Sequence, residues 1–171
     1  MTSNAADRAY EAGRRNEAEY HGCAQCVLAA LQDTFDERDD AVFRAATGLS
    51  GGGGLAGDGS CGAYAGATLF LGQLQGRDRD DFTDAAGVRY ETSRMVGDLR
   101  SRFVERYGSV VCGDIQIGVI GRSFDLTDVD DVECFKDAGA HAIHCPEVVG
   151  RAARWAAEIV IENNLASGGD E

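Results

Sequence analysis

The chain has 171 residues, enough for one domain with a buried core and no covalent staples, and it carries 29 acidic against 16 basic side chains, a net charge of -13. A field of that sign repels nucleic acid and anionic lipid, so neither nucleic acid nor membrane is an expected partner. One proline, 23 glycines and few aromatics favour an all-α domain over a sandwich or barrel.

Lys136 is the only lysine. An acidic, lysine-poor composition suits hydration in concentrated salt, the halophilic reading, although a GC-rich genome gives much of the same bias. The first residues, MTSNAADRAYEAGRR, lack an apolar h-region, and no apolar run is long enough to span a bilayer, so the expectation is a cytoplasmic protein. Six cysteines in a reducing compartment point to metal binding or redox chemistry rather than a disulfide framework.

In chain order, Ser3 or Asn4 is expected to cap a first, mostly polar helix ending near Tyr20, with a narrow face through Ala6, Tyr10 and Ala18 that suits the surface. From Gly22 to Phe35, Ala24, Val27, Leu28, Leu31 and Phe35 recur at helical spacing and mark a core-facing helix with Cys23 in its first turn. Asp39 or Asp40 caps a short helix with Val42, Phe43 and Ala46 inward, and Gly48 stands where a C-terminal cap is wanted.

Then comes SGGGGLAGDGSCGAYAG, in which six of the ten residues from Gly51 to Ser60 are glycine. That density abolishes regular structure and lets backbone pass close to other backbone or to a bound group. Ser60 reads as the N-cap of a helix from Cys61 to about Leu74 that Gly76 ends, with Ala63, Ala67, Phe70 and Leu74 on one stripe. Asp80 or Asp81 is expected to open the longest helix, in which Phe82, Ala85, Val88, Thr92, Met95, Leu99 and Phe103 keep helical spacing to Gly108 and mark the bundle's central element.

Cys112 begins a short helix or turn, and a loop follows to a capped start at Thr127 or Asp128. A short helix through Val132, Phe135 and Ala138 should stop near Gly139. Cys145 precedes Pro146, a good first helical residue, and a last helix whose Val148, Val149, Ala152, Trp155, Ala156, Ile159 and Val160 share a face. The tail ASGGDE is expected to be flexible. The whole is read as a single helical domain over 1–171, an all-α bundle with a glycine-rich loop, its cysteine-bearing region covering 20–164 and its flexible tail 166–171.

Cys23, Cys61, Cys112 and Cys145 each lie at or near an expected helix start, where free amides and the helix dipole favour a thiolate. The competing reading, cysteine as a small buried hydrophobe, fits Cys26 and Cys134, which lie inside helical patterns. Cys23 and Cys26 spell C-x-x-C without the βαβ setting of a thioredoxin motif, and separations of 38, 51 and 33 positions do not suit a zinc knuckle. The glycine matches to a dinucleotide fingerprint lack a preceding strand and the phosphate-loop lysine is missing, so no nucleotide is expected. His21, His141 and His144 flank the cysteines as candidate ligands or as solvated surface residues. Acidic pairs such as Asp39-Asp40, Asp80-Asp81 and Asp130-Asp131 are explained by capping.

The order of these residues resembles the C_GCAxxG_C_C family, which is named for its cysteine pattern, over roughly His21 to Asn164. The resemblance is carried by Cys23 in HGCAQCVLAAL, by Cys61 with Ala63 and Gly66 in SCGAYAGATLFLG, by Cys112 in FVERYGSVVC and by Cys145 ahead of the last helix; glycine follows Cys61 where the family's label has it in front. It implies a small helical redox or metal-binding protein. Similar cysteine-bearing domains occur in split-Soret cytochromes, where an iron-sulfur centre accompanies haem, but C-x-x-C-H is absent from this chain and haem is not expected.

The favoured expectation is a metal centre on Cys23, Cys61, Cys112 and Cys145, a [2Fe-2S] cluster or other metal ion, with Gly59 and Gly62 as cofactor-binding loop residues and a redox partner protein. A homodimer is left open. The alternatives are thiol-disulfide exchange, with Cys61 attacking and Cys23 or Cys145 resolving, and a helical interaction module with incidental cysteines.

Overall fold

The computed structural model describes residues 2–166. Among them are eight α-helices: α1 (Thr2–Tyr20), α2 (Cys23–Phe35), α3 (Asp40–Ala45), α4 (Gly62–Gln75), α5 (Val88–Tyr107), α6 (Cys112–Ile120), α7 (Val129–Asp137) and α8 (Cys145–Glu162). A 3-10 turn (Ala46–Leu49) extends α3, and a π-helical turn (Ala140–His144) leads into α8. The extended pairing found among the described residues is one antiparallel bridge, Ser60 to Val111. The fold is all-α, as composition led us to expect, and the tail expected to be flexible lies, from residue 167 on, outside the described residues. No described helix is long and apolar enough to cross a membrane.

The central element is α8, not α5. Val148, Val149, Ala152, Ala153, Ala156, Ala157, Ile159 and Val160 are all buried, and α8 packs against α1, α2, α4 and α5. On α5 only Met95, Leu99 and Phe103 are buried, since arginines and acids fill its other faces and keep it at the rim. Each large side chain fully buried along α8 removes enough apolar surface to contribute about 1.5–3 kcal/mol, which is why its stripe rather than the length of α5 sets the centre.

The first helix is also deeper than its polarity suggested. Ala6, Ala9, Gly13 and Glu17 are buried, whereas Ala18 is exposed. A β-carbon at Gly13 would stand 3.2 Å from both the Ala153 Cβ and the Val149 carbonyl, so α1 and α8 approach almost backbone to backbone. Alanine and glycine carry little hydropathy, and a close crossing made from them is hard to distinguish from a surface face by periodicity alone.

Three helix boundaries differ from expectation. α1 already runs from Thr2, ahead of Ser3 and Asn4. α5 begins at Val88, because Gly87 takes φ 72° and interrupts the helical pattern that began at Phe82. Gly87 is the N-cap, and the first amides are served by Asp84, whose carboxylate accepts from Val88 and Arg89 N–H at 2.8 and 3.2 Å. Residues 76–87 consequently form a largely exposed connection, with Phe82 lying under the Arg77 guanidinium. At α3, Asp39 does cap, but Gly48 lies within the 3-10 turn instead of ending the helix.

Candidate metal centre

Four helix starts meet beside the glycine loop. Cys23, Cys112 and Cys145 are the first residues of α2, α6 and α8, and Cys61 is itself the N-cap of α4, the place expected for Ser60. Together the four line one cavity of about 200 Å³, whose remaining wall is mostly apolar side chains such as Ile115, Val119 and Val148. Cys26 is buried outside this wall, its thiol donating to the His21 carbonyl at 3.0 Å. Cys134, read as a buried hydrophobe, is exposed on α7.

Backbone pairing explains how residues so distant in sequence come together. The Cys61 amide donates to the Val110 carbonyl at 2.7 Å and the Cys112 amide to the Gly59 carbonyl at 2.9 Å, on either side of the Ser60–Val111 bridge. The Gly113 amide reaches the Gly57 carbonyl at 2.8 Å, tying α6 to the loop. Glycine is required where chains touch: a β-carbon at Gly59 would stand 2.2 Å from the Gly52 carbonyl oxygen, and at Gly62 2.3 Å from Cys23 Sγ. Gly66 does the same one turn on, against the Ala24 carbonyl at 2.2 Å, and so seats the start of α4 against the start of α2. Gly59 and Gly62, read from the sequence as cofactor-binding, thus face protein atoms at these contacts.

Electrostatically the cavity differs from the thiolate-favouring setting expected of four helix starts. Burial pushes the Cys61 thiol well above its ordinary range, and the neighbouring Cys23 and Cys112 add to that rise. Burial likewise raises Cys145, then Glu17, Cys23, Cys61 and Cys112 in that order, while Cys112 is pushed up to about 11. Cys23 is raised by burial and by Glu17. Desolvation therefore outweighs the helix-start amides for thiols without a cation beside them. Those amides are nonetheless present: the Ala63 and Tyr64 N–H groups point at Cys61, Gly51 N–H and the Ser50 hydroxyl at Cys23, and Gln116 Nε2 lies 3.4 Å from Cys112 Sγ.

Glu17 and Gln116 escaped the sequence reading. Gln116 is buried and uses its oxygen to accept from the Phe124 amide at 2.8 Å, which leaves its NH₂ to serve Cys112. Glu17 is only 2% exposed, in the last turn of α1, and joins His21 and His141 at the cavity's edge. The donor atoms of these three lie within 4.8 Å of one another, a group able to hold a metal ion. The four-residue spacing of Glu17 and His21 was the signal available in the sequence. His141 required the π-turn, and His144, half-buried, lies outside the trio.

The family model described as "Putative redox-active protein (C_GCAxxG_C_C)" matches residues 21–159. No curated protein and no solved structure matches the chain. The matched span holds all four cavity cysteines and covers well over half of the sequence: the chain belongs to the C_GCAxxG_C_C family.

Proposed function

We propose that Cys23, Cys61, Cys112 and Cys145 hold a [2Fe-2S] cluster that serves electron transfer with a partner protein. One observation carries this reading: thiols from four helix starts, far apart in sequence, share one apolar cavity. The donor set suits a cluster better than a single ion. Four thiolates about 2.3 Å from one tetrahedral ion would stand about 3.8 Å apart, yet among the described residues no three of these sulfurs fall within 4.8 Å of one another. A two-iron cluster takes its thiolates in two pairs and makes no such demand. When bound, it would supply one-electron chemistry.

The chain's own groups support that chemistry. The amides at Cys61, the Ser50 hydroxyl and Gly51 amide at Cys23 and the Gln116 NH₂ at Cys112 stabilise anionic sulfur, and donors of this kind raise a cluster's reduction potential. The mostly apolar wall lowers the polarity around the sulfurs. Disulfide exchange through Cys61 needs an accessible thiol of low pKa, whereas Cys61 is 7% exposed and raised by burial.

Anaerobic purification tests the proposal. The protein should be coloured, contain iron and acid-labile sulfide in equal amounts, and give a paramagnetic signal on one-electron reduction. Serine at Cys61 or Cys112 should abolish the colour, and serine at Cys26 or Cys134 should leave it. A colourless chain whose four cavity thiols are all freely alkylated on unfolding, or one that cycles them as disulfides, would sink the cluster.

A further inference from the structure

We infer that Glu17, His21 and His141 form a second metal site, for a divalent first-row transition ion, at the edge of the cysteine cavity. The observations behind it are independent of the sulfur centre. Glu17 is 2% exposed, and its Oε2 has no hydrogen-bond partner. His141 Nδ1 is likewise buried and unpartnered. The Cys26 thiol also lies against this carboxylate, yet Glu17 Oε2 and His141 Nδ1 stay unpaired, and native interiors rarely leave buried polar atoms orphaned.

Their separation suggests what compensates them. His141 Nδ1 lies 3.9 Å from Glu17 Oε1, too far for a hydrogen bond. Two donors each about 2.1 Å from one ion stand between about 3 and 4 Å apart, so a cation fits where a shared proton does not. His21 completes the set. Its Nδ1 is 2.9 Å from the Glu17 carbonyl oxygen; with the proton on Nδ1 donated there, Nε2 presents its lone pair. That is how proteins orient a metal-binding imidazole, by occupying the other ring nitrogen. The two imidazoles are packed together, ring centroids 4.1 Å apart, and His141 is carried there by the π-turn, a wide turn of the kind found at functional sites.

Donor chemistry sets the class of ion. Two nitrogens and one carboxylate suit Zn²⁺, Fe²⁺, Co²⁺ or Ni²⁺ and leave coordination positions open; calcium and magnesium prefer all-oxygen sites. The open positions would look into the cavity that Cys23 and Cys145 also line.

Cobalt(II) is the probe. The full chain, freed of metal and handled anaerobically, should bind one cobalt at this site with visible d–d absorbance. A Cys61→Ser/Cys112→Ser double variant, which removes sulfurs of the other centre, should keep that site. Glu17→Gln and His141→Gln should each weaken it at least tenfold in both backgrounds. The metal-free Glu17→Gln chain should melt no lower than the parent, because a buried charge has gone, and should lose the stabilisation that cobalt gives the parent. If Glu17→Gln fails to fold, His141→Gln carries the test alone. Cobalt binding that survives both substitutions, or that disappears with Cys61 and Cys112, overturns the site. Neither result depends on whether an iron-sulfur cluster is recovered.

Discussion

Gly62 leaves no room for a side chain: any β-carbon there would lie 2.3 Å from Cys23 Sγ and 3.1 Å from the Ala24 amide. Gly59 faces the Gly52 carbonyl at 2.2 Å. Valine at either position must push the loop or the sulfur aside, and the displacement falls on the cavity before it reaches the α8 core. Both variants should therefore remain helical by circular dichroism while losing cluster absorbance; full absorbance in both would reduce the loop to a connector. At this scale the four cysteines were legible, because a thiol at a helix start stands out from the apolar stripe behind it. Glu17 was not, since one acid among many on a polar helix gives no sign that its face is the buried one. Gln116 hid for a similar reason, sitting on a helix too short for its burial to be read from period.

Between α1 and α8 a polar clamp supplements the glycine and alanine contact. Glu147, in the first turn of α8, accepts from the Tyr10 hydroxyl at 2.6 Å and from Arg151 Nε at 2.7 Å, and Arg14 lies 3.7 Å away. Desolvation alone would raise this carboxyl; the Tyr10 bond and the Arg151 and Arg14 charges override it and hold it below its ordinary 4.5. A depressed carboxylate stabilises the fold above its unfolded pKa, and the contribution is lost as pH falls through the folded value. Glu147→Gln should accordingly cost about 1 kcal/mol at neutral pH, with the gap to the parent closing as pH drops below 4.5 in chemical denaturation. A gap unchanged at acid pH would mean that the carboxylate's charge contributes nothing. Element existence and order were readable from apolar period, including α2, α4 and α8. The start of α5 was misplaced because the pattern runs on through a left-handed Gly87, and the π-turn has no sequence period by which to find it.

Over the whole molecule carboxylates outnumber cations, 29 to 16. Many of the arginines are already engaged, Arg102 with Glu158 and Glu162, Arg122 with Asp131 and Arg154 with Asp7. Salt weakens such exposed pairs by little, since each is worth about 0–1 kcal/mol, and relieves the repulsion of a -13 surplus. The melting temperature should rise from low to molar salt; a flat or falling curve would remove the halophilic reading. The exposed connection at 76–87 divides the chain so that Cys23 and Cys61 lie before it and Cys112 and Cys145 after it. A centre bound by all four is then topologically a cross-link between two halves, closing long loops as a disulfide would. Cleavage by trypsin after Arg77 or Arg79 should leave a loaded protein that still elutes as one particle, and a chelator should hasten the parting of its two fragments.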